Sequence, residues 1–286
     1  MQTTSKLLNT TDHSRDSAGL TYVYPVISRR AGGVSIGINL NPNNACNWRC
    51  VYCQVPDLKR GTAPSIDLEK FEAELRLFLS DLIHGDFMDR HVPPEVRKIS
   101  DIALSGNGEP TSAREFDRII ELIGHIKKDF ALPVDLKTVL ITNGSLIHRA
   151  NVQTGLRRMA EINGEVWFKF DRASAKERQR INHTSMSLKK IQEHLRIATA
   201  HCPTWLQTCV FQIDGMPPTE AEVSSYLTFM RQLLDNHILI QGVLLYGLAR
   251  PSLQPEASRL TPVESTWFQD FEERIGALGV TVRPNP

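Results

Sequence analysis

Three cysteines lie within eight residues of one another, at Cys46, Cys50 and Cys53. Pro42 and Pro56 flank the segment, which predicts a loop. Three thiolates can bind three irons of a [4Fe-4S] cluster, whereas a structural zinc site or a closed cluster needs four protein ligands. The spacing therefore predicts a cluster in which one iron has no protein ligand.

The cysteine motif has two other interpretations: a zinc site completed by a distant histidine, or three buried cysteines that share no ligand. The chain has five cysteines in all. This odd, clustered set favours metal binding in a reducing compartment over a secreted disulfide framework. Cys202 and Cys209 are too few for a second cluster, so we expect them to be buried as small hydrophobic residues.

A second polar segment, Ser-Gly-Asn-Gly-Glu-Pro-Thr, occupies residues 105–111. Backbone carbonyls at Asn107 and Gly108 and the carboxylate of Glu109 can accept hydrogen bonds from an ammonium group if a small residue lets the backbone come close. Alternatively, the segment is a tight strand-to-helix turn in which Glu109 stabilises a helix N-terminus.

Polar residues also follow two later apolar runs. Thr142 and Asn143 can form hydrogen bonds with a ligand, although Asn-Gly is also a common turn dipeptide. Lys169 and Asp171 supply a cation and an acid at the end of the next run, or else form an exposed ion-pair cluster.

These motifs follow short β-branched runs that alternate with longer segments of helical periodicity, which is typical of βα units and a parallel sheet. Six units are predicted, with strands at 34–40, 99–105, 137–142, 165–170, 205–213 and 238–246 and helices at 67–83, 115–128, 146–161, 188–200, 219–234 and 262–278. A short closing strand is predicted at 280–282. Such units indicate an α/β barrel, complete or partial, with ligands at the carboxyl ends of the strands, where every polar motif falls.

The cysteine motif, with an aromatic residue directly before its last cysteine, resembles the signature of the radical S-adenosylmethionine (SAM) superfamily. Residues 105–111 resemble the superfamily's Gly-Gly-Glu motif, with Asn107 in place of the first Gly, and residues 142–144 resemble a recurring turn. The resemblance covers residues 22–250 and implies a partial (β/α)6 TIM-like barrel. It also implies a [4Fe-4S] cluster on Cys46, Cys50 and Cys53, whose open iron is chelated by the amino and carboxylate groups of SAM.

The chemistry that this resemblance implies is reductive cleavage of SAM to methionine and a 5′-deoxyadenosyl radical, which abstracts hydrogen from a substrate. The implied SAM-binding residues are Tyr52 near the adenine, Asn107, Gly108 and Glu109 at the methionine ammonium, Thr142 and Asn143 at the ribose or carboxylate, and Lys169 and Asp171. Ordinary packing is the alternative for Tyr52. The resemblance also implies an electron donor such as flavodoxin or ferredoxin. The catalytic residues and the choice between oxidoreductase, lyase and transferase stay open.

Composition limits the location and the partners. The 33 basic and 32 acidic side chains leave a net charge of +1, so no overall field favours a polyanion. No apolar run is long enough to span a membrane and residues 1–16 lack a signal-peptide pattern, so we expect a soluble, cytoplasmic protein. Residues 1–20 are expected to form a disordered or loosely docked arm, and residues 21–286 one barrel domain with a C-terminal helix and the closing strand.

Three functions are compatible with these motifs. Within the superfamily, the sequence looks most similar to the branch that contains wyosine-type tRNA-modifying synthases, but it has no cysteine before Cys46 and its charge is balanced. A small-molecule or peptide substrate is therefore favoured, and tRNA is possible. Residues 157–180 carry seven basic and four acidic side chains with three aromatic residues, which form either a nucleic-acid platform or a solvated face. The third possibility is an iron-sulfur protein that binds SAM without turnover, as a sensor or assembly partner.

Overall fold

The computed structural model describes residues 7–8, 19–28, 32–248 and 250–286. Apolar, β-branched runs form most of its strands. The strands are β1 (Val23–Ser28), β2 (Gly33–Ile38), β3 (Ala45–Cys46), β4 (Lys59–Arg60), β5 (Ile99–Leu104), β6 (Lys137–Thr142), β7 (Gly164–Lys169), β8 (Thr204–Cys209), β9 (Gln212–Ile213), β10 (Gly242–Tyr246), β11 (Leu260–Thr261) and β12 (Val282–Asn285).

The helices separate these strands along the chain. They are α1 (Leu68–His84), α2 (Phe87–His91), α3 (Phe116–Asp129), α4 (Ala150–Glu161), α5 (Ala175–Asn182), α6 (Leu188–His201), α7 (Glu220–Asp235) and α8 (Ser265–Gly276). Short 3-10 turns lie at Pro94–Val96, Pro110–Ser112 and Ala257–Arg259. The apolar face of α3 is buried, including Phe116, Ile119 and Ile123.

Eight strands form one sheet in the order β1-β2-β5-β6-β7-β8-β10-β12. Only β1 is antiparallel to its neighbour, and the other pairs in this sheet are parallel. The sheet curls into a half-barrel that is open between β1 and β12. The predicted α/β partial barrel with six βα units is therefore confirmed.

Several predicted elements differ from the observed ones. The predicted strand 205–213 is divided, because β8 ends at Cys209 and the next residues form β9, which pairs with β11. The strand predicted at 238–246 begins at Gly242, and the closing strand predicted at 280–282 lies at Val282–Asn285. Strand β1 and helix α5 were not predicted. Strand β1 contains Pro25, which a sheet accepts on an edge strand because proline cannot donate a backbone hydrogen bond.

The interior of the half-barrel is not filled by side chains. Bulky branched residues usually fill a closed TIM barrel, but here β2 and β5 contribute the small residues Ser35, Gly37 and Ala103. Tyr24 of β1 lies against Gly37 so closely that a Cβ atom there would clash with the tyrosine ring. The result is a cavity of about 340 Å³, which we call the central cavity. The loops above the strands line it together with residues from each of six parallel strands, among them Ser35, Ala103, Ile141, Lys169, Gln207 and Tyr246.

The predicted N-terminal arm lies mostly outside the described residues. In its described part, the backbone N–H of Leu8 donates to the carbonyl of His91 over 2.8 Å, and Leu8 packs against the core. The division of the chain into an arm and one domain stays a prediction. Within the ranges given above, no helix combines the length and the apolarity needed to cross a membrane.

Candidate functional site

The three motif cysteines lie on the loop between β2 and α1. Cys46, Cys50 and Cys53 are half-buried free thiols, and all three line the central cavity. Cys46 belongs to β3, which pairs with β4, and the backbone N–H of Cys53 donates to the carbonyl of Cys50 over 3.0 Å. The motif thus presents three thiols to one space at the carboxyl ends of the parallel strands.

Two distant segments hold this cysteine loop. Its Val51 N–H donates to the carbonyl of Ile181 in α5 over 2.8 Å. On the other side, the Ser252 hydroxyl donates to the carbonyl of Val51 over 2.7 Å, and the N–H of Leu253 donates to the carbonyl of Cys53 over 2.9 Å. Because buried backbone groups need partners, these bonds fix the loop path.

Hydrogen bonds also reach the sulfur atoms. The backbone N–H of Trp48 donates to Cys46 Sγ over 3.4 Å, and Asn182 Nδ2 donates to Cys50 Sγ over 3.2 Å. Burial, followed by repulsion from Glu109, raises the pKa of Cys46 to about 12. Burial also raises the pKa of Cys50 to about 12, although the nearby Lys169 opposes this shift. A metal must therefore displace thiol protons when it binds.

The donor set suits a cluster better than a single metal ion. Among the described residues, no three His, Cys, Asp or Glu side chains are arranged to hold one ion. A zinc site needs its ligands to converge on one centre, whereas a [4Fe-4S] cluster binds each thiolate to a different iron. Cys46, Cys50 and Cys53 meet the second requirement because they are separate soft donors around one cavity.

Glu109 is buried and connects two of the predicted motifs. Its Oε1 accepts hydrogen bonds from the Thr111 N–H, the Thr111 hydroxyl and the Thr142 hydroxyl, at 3.1, 2.6 and 2.6 Å. Its Oε2 accepts from the N–H of Asn143 over 2.7 Å and, as a carboxylate oxygen, can accept a further bond. Burial raises the pKa of Glu109, and these hydrogen bonds oppose the shift. Glu109 also caps the turn at Pro110–Ser112, as the alternative interpretation predicted.

Residues 106–108 pack against the chain that leaves β2. A Cβ atom at Gly108 would clash with the carbonyl oxygen of Ala45 and the side chain of Asn41. The N–H of Asn107 donates to Asn39 Oδ1 over 2.8 Å, and Asn107 Nδ2 donates to Asn44 Oδ1 over 2.7 Å. The small residue is therefore required by contact with the cysteine loop, a reason that the sequence did not reveal.

Asn143 joins the cysteine loop to the end of β6. Its Nδ2 donates to Asn47 Oδ1 over 2.7 Å, and its Oδ1 accepts from the Ser145 N–H and hydroxyl at 3.0 and 2.7 Å. Ser145 in turn accepts from Asn47 Nδ2 over 2.7 Å. Asn143 lines the central cavity and positions the loop at the same time.

Asp171 lies behind the cysteine loop. Its Oδ2 accepts from the Tyr52 hydroxyl over 2.5 Å and from Asn182 Nδ2 over 2.7 Å, and its Oδ1 accepts from the N–H of Cys209 over 2.9 Å. Tyr52 lines the cavity and packs on Phe211, with 5.5 Å between ring centroids. Burial, and then the negative charge of Asp171, raises the pKa of Tyr52 well above its ordinary value.

Lys169 brings a positive charge to the cavity wall. Its Nζ lies 5.4 Å from the centroid of the Tyr52 ring and 3.5 Å from the Tyr246 hydroxyl. Burial lowers the pKa of Lys169, but the interactions with Tyr246 and Asp171 more than offset this, so the pKa is raised overall. Lys169 therefore stays charged and can attract an anionic group.

The predicted SAM-binding residues fall into two groups. Tyr52, Gly108, Glu109, Asn143 and Lys169 line the central cavity together with the three cysteines. Asn107, Thr142 and Asp171 are not among the lining residues and contact their neighbours instead.

Sequence reasoning missed several residues of the site. Asn182 lies on α5, which has no clear apolar periodicity. Gln207 and Cys209 line the cavity from β8, and their alternation along that strand was the available signal. Cys209 is buried, as predicted.

No protein-family model matches the chain. The chain is similar to a UPF0026 protein of Helicobacter pylori, with 27% identity over 231 residues that cover 80% of this chain and 66% of the relative. A UPF0026 protein of Synechocystis is 27% identical over 280 residues, which cover 92% of this chain and 96% of the relative. The chain spans 48% to 66% of the length of the Helicobacter and Methanocaldococcus relatives that it matches.

Solved structures with a similar fold include the following two. A radical SAM methyltransferase from Sphaerobacter thermophilus matches with a TM-score of 0.60 and 13% identity, over 92% of this chain and 69% of that chain. Streptococcus suis SuiB bound to S-adenosylmethionine matches with a TM-score of 0.53 and 10% identity, over 90% of this chain and 49% of that chain. The partial barrel of the radical SAM type is therefore confirmed as the fold.

Proposed function

We propose that this protein is a radical SAM enzyme that binds a [4Fe-4S] cluster through Cys46, Cys50 and Cys53. The observation that carries the proposal is that all three thiols line one cavity inside a partial barrel, at the carboxyl ends of its parallel strands. Glu109 and Lys169 line the same cavity and supply an acceptor and a cation. These are the groups that the ammonium and carboxylate of a methionine moiety require.

Similarity to known proteins supports this proposal. SuiB, which shares the fold, has been solved with SAM bound, and the methyltransferase of similar fold is a radical SAM protein. When bound, the cluster and SAM supply an electron and a sulfonium bond whose cleavage gives methionine and a 5′-deoxyadenosyl radical. Glu109 Oε2 would accept a hydrogen bond from the ammonium of bound SAM, Lys169 would attract its carboxylate, and Tyr52 would supply an apolar wall.

We propose a small-molecule or peptide substrate, because the placement of the basic side chains favours it over tRNA. Arg172 is buried, where it donates to the carbonyl of Cys209 over 3.1 Å, and the buried Arg178 donates to the carbonyl of Met186 over 3.0 Å. Arg158 pairs with Glu121 over 3.1 Å. Several basic side chains of residues 157–180 therefore serve internal contacts, and phosphate binding needs exposed ones. Resemblance to the wyosine-type branch stays a prediction, as do a flavodoxin or ferredoxin as electron donor and a cytoplasmic location.

Anaerobic reconstitution with iron and sulfide, followed by an assay for 5′-deoxyadenosine under reducing conditions, tests the proposal. We expect about four irons per chain and reductive SAM cleavage in the wild type, and loss of both in Cys50→Ala. Cys202→Ala is the matched control, because Cys202 is buried away from the cavity, where it contacts the carbonyl of Gly164. A full cluster in Cys50→Ala would contradict the assignment. A cluster without cleavage would favour a sensor role.

The tRNA alternative has its own test. Binding of unfractionated tRNA is measured at two salt concentrations, because phosphate contacts give a steep dependence on salt. We expect weak binding with little salt dependence. Submicromolar, steeply salt-dependent binding would favour tRNA as the substrate.

A further inference from the structure

Gln207 has an unpaired polar group inside the half-barrel. It lies on β8, lines the central cavity and is 2% exposed. Within the part of the chain that the structure describes, its Oε1 has no hydrogen-bond partner. A buried acceptor without a partner costs about 1 to 3 kcal/mol. The fold therefore carries an energetic cost at Gln207 that no internal contact offsets.

The position of Gln207 links it to the proposed SAM site. Gln207 is the register partner of Lys169 across the parallel pair of β7 and β8. Cys209, two residues further along β8 and on the same face, belongs to one apolar cluster with Val51 and Tyr52 of the cysteine loop. Gln207 thus lines the interior at the level of Lys169, on the neighbouring strand.

The wall around Gln207 is mostly apolar. Ala103 and Ile141 line the cavity on the neighbouring strands, together with Val139. The indole N–H of Trp167 donates to Glu165 Oε1 over 2.8 Å, so this aromatic residue of the wall already has a polar partner. The two charged residues of the adjoining wall already have partners: Lys169 is assigned to the SAM carboxylate in the proposed function, and Asp101 accepts a hydrogen bond from the Ser35 hydroxyl. A charged substrate group would therefore lose its hydration without a free counter-charge, whereas a neutral group with one hydrogen-bonding edge needs none.

We propose that Gln207 is a substrate-binding residue, and that the buried part of the substrate is a neutral cyclic amide whose N–H donates to Gln207 Oε1. A side-chain amide presents an acceptor and donors side by side, and a cyclic amide presents the complementary N–H and C=O on one edge. The hydrogen bonds between the two amides give the unpaired oxygen a partner, and they disfavour binding of analogues that lack the donor. This proposal rests on the proposed function, because it names the substrate class of the same cavity.

The test uses two probes that differ at the amide nitrogen, which carries a hydrogen in 2-pyrrolidone and a methyl group in N-methyl-2-pyrrolidone. Their binding to the reconstituted full chain is measured by ligand-observed NMR. We expect 2-pyrrolidone to bind about tenfold more tightly than its N-methyl form. In Gln207→Leu the two probes should bind equally. Gln232→Leu, an exposed position on α7, should keep the wild-type ratio.

A stability measurement separates a binding role from a structural one. Leucine has a similar size and removes the unpaired oxygen, so the thermal midpoint of Gln207→Leu should equal or exceed that of the wild type. A lower midpoint would mean that Gln207 supports the fold, and would overturn the proposal. Equal binding of both probes to the wild type, or binding of neither, would also overturn it.

The two proposals can fail independently. SAM cleavage with no discrimination between the probes would leave the radical SAM function standing and refute the role of Gln207. Probe discrimination that depends on Gln207, without cluster or cleavage, would support the amide site and refute the radical chemistry.

Discussion

The side-chain amide of Asn182 donates a hydrogen bond to the sulfur of Cys50, with 3.2 Å between Nδ2 and Sγ. The same Nδ2 lies 2.7 Å from Asp171 Oδ2, which holds the amide in place. Hydrogen bonds to ligand sulfurs are among the factors that set the reduction potential of an iron-sulfur cluster. Asn182 is therefore a positioning residue for the proposed cluster.

Asn182→Leu should lower the reduction potential of the reconstituted cluster, because the lost N–H···S bond stabilises the more negative, reduced form. The expected shift is on the order of tens of millivolts. A redox titration followed by electron paramagnetic resonance measures it. Asn236→Leu is the matched control, since Asn236 is exposed and its Nδ2 donates to the carbonyl of Gln232. An unchanged potential in a fully loaded variant would refute this role.

Gly108→Ala should reduce the iron content after reconstitution, because the added methyl group meets the carbonyl oxygen of Ala45 and displaces the start of the cysteine loop. The helices and strands should remain. Iron analysis and circular dichroism measure the two effects. Gly276→Ala is the control, since a Cβ atom there meets no described atom within 4 Å apart from its chain neighbours and the backbone of its own helix. Full iron loading of Gly108→Ala would show that the cysteine loop can shift without losing its ability to bind the cluster.

Glu109→Gln should lose both SAM affinity and stability. The carboxylate accepts hydrogen bonds from two hydroxyls and two backbone N–H groups, and a glutamine amide cannot accept them all. We expect about tenfold weaker SAM binding by calorimetry and a loss of about 1 to 3 kcal/mol in the free energy of unfolding. Glu121→Gln, at an exposed helix position, is the control. If Glu109→Gln binds SAM with wild-type affinity, Glu109 holds the loops in place and does not contact SAM.

Lys127 should make stability depend on pH. Its Nζ is buried and donates to the carbonyls of Leu136 and Ile162, at 2.7 and 2.8 Å. Burial lowers the pKa of Lys127 to about 8, below its value in the unfolded chain. The unfolded state therefore binds more protons than the folded state between that pH and about 10.4, so stability rises with pH in this range.

Denaturant unfolding of the wild type and of Lys127→Met measures this effect. Relative to the variant, the wild type should gain about 2 kcal/mol between pH 7 and pH 9.5. Lys128→Met, at the exposed neighbouring position, should follow the wild type. If Lys127→Met and the wild type show parallel pH profiles, the ammonium is not desolvated.

The sequence was sufficient to predict the six parallel strands and the cysteine loop, because alternating apolar runs and the cysteine spacing are local signals. Strand β1 was missed because Pro25 interrupts its pattern. Helix α5 was missed because its eight residues include several charges and little apolar periodicity. Element boundaries differed by a few residues, most at the ends of β8 and β10.

Side-chain partners could not be predicted in the same way. Thr142 and Asp171 are the residue types that bind ligands, yet their oxygens bond to Glu109 and to Tyr52 inside the protein. These pairs are separated by 33 and 119 residues. Sequence spacing does not predict contacts between residues this far apart in the chain. The packing of neighbouring strands determines these contacts.

The hydrogen bond from Ser252 to Val51 joins residues that are 201 positions apart. At a synthesis rate of about 5 to 20 residues per second, roughly 10 to 40 s pass between the emergence of the two residues from the ribosome. During that interval the nascent chain already carries Cys46, Cys50 and Cys53, but not the segment that fixes their loop. The thiols therefore reach their final arrangement only after Ser252 has been made, and iron delivered before then meets a loop that is still free to move.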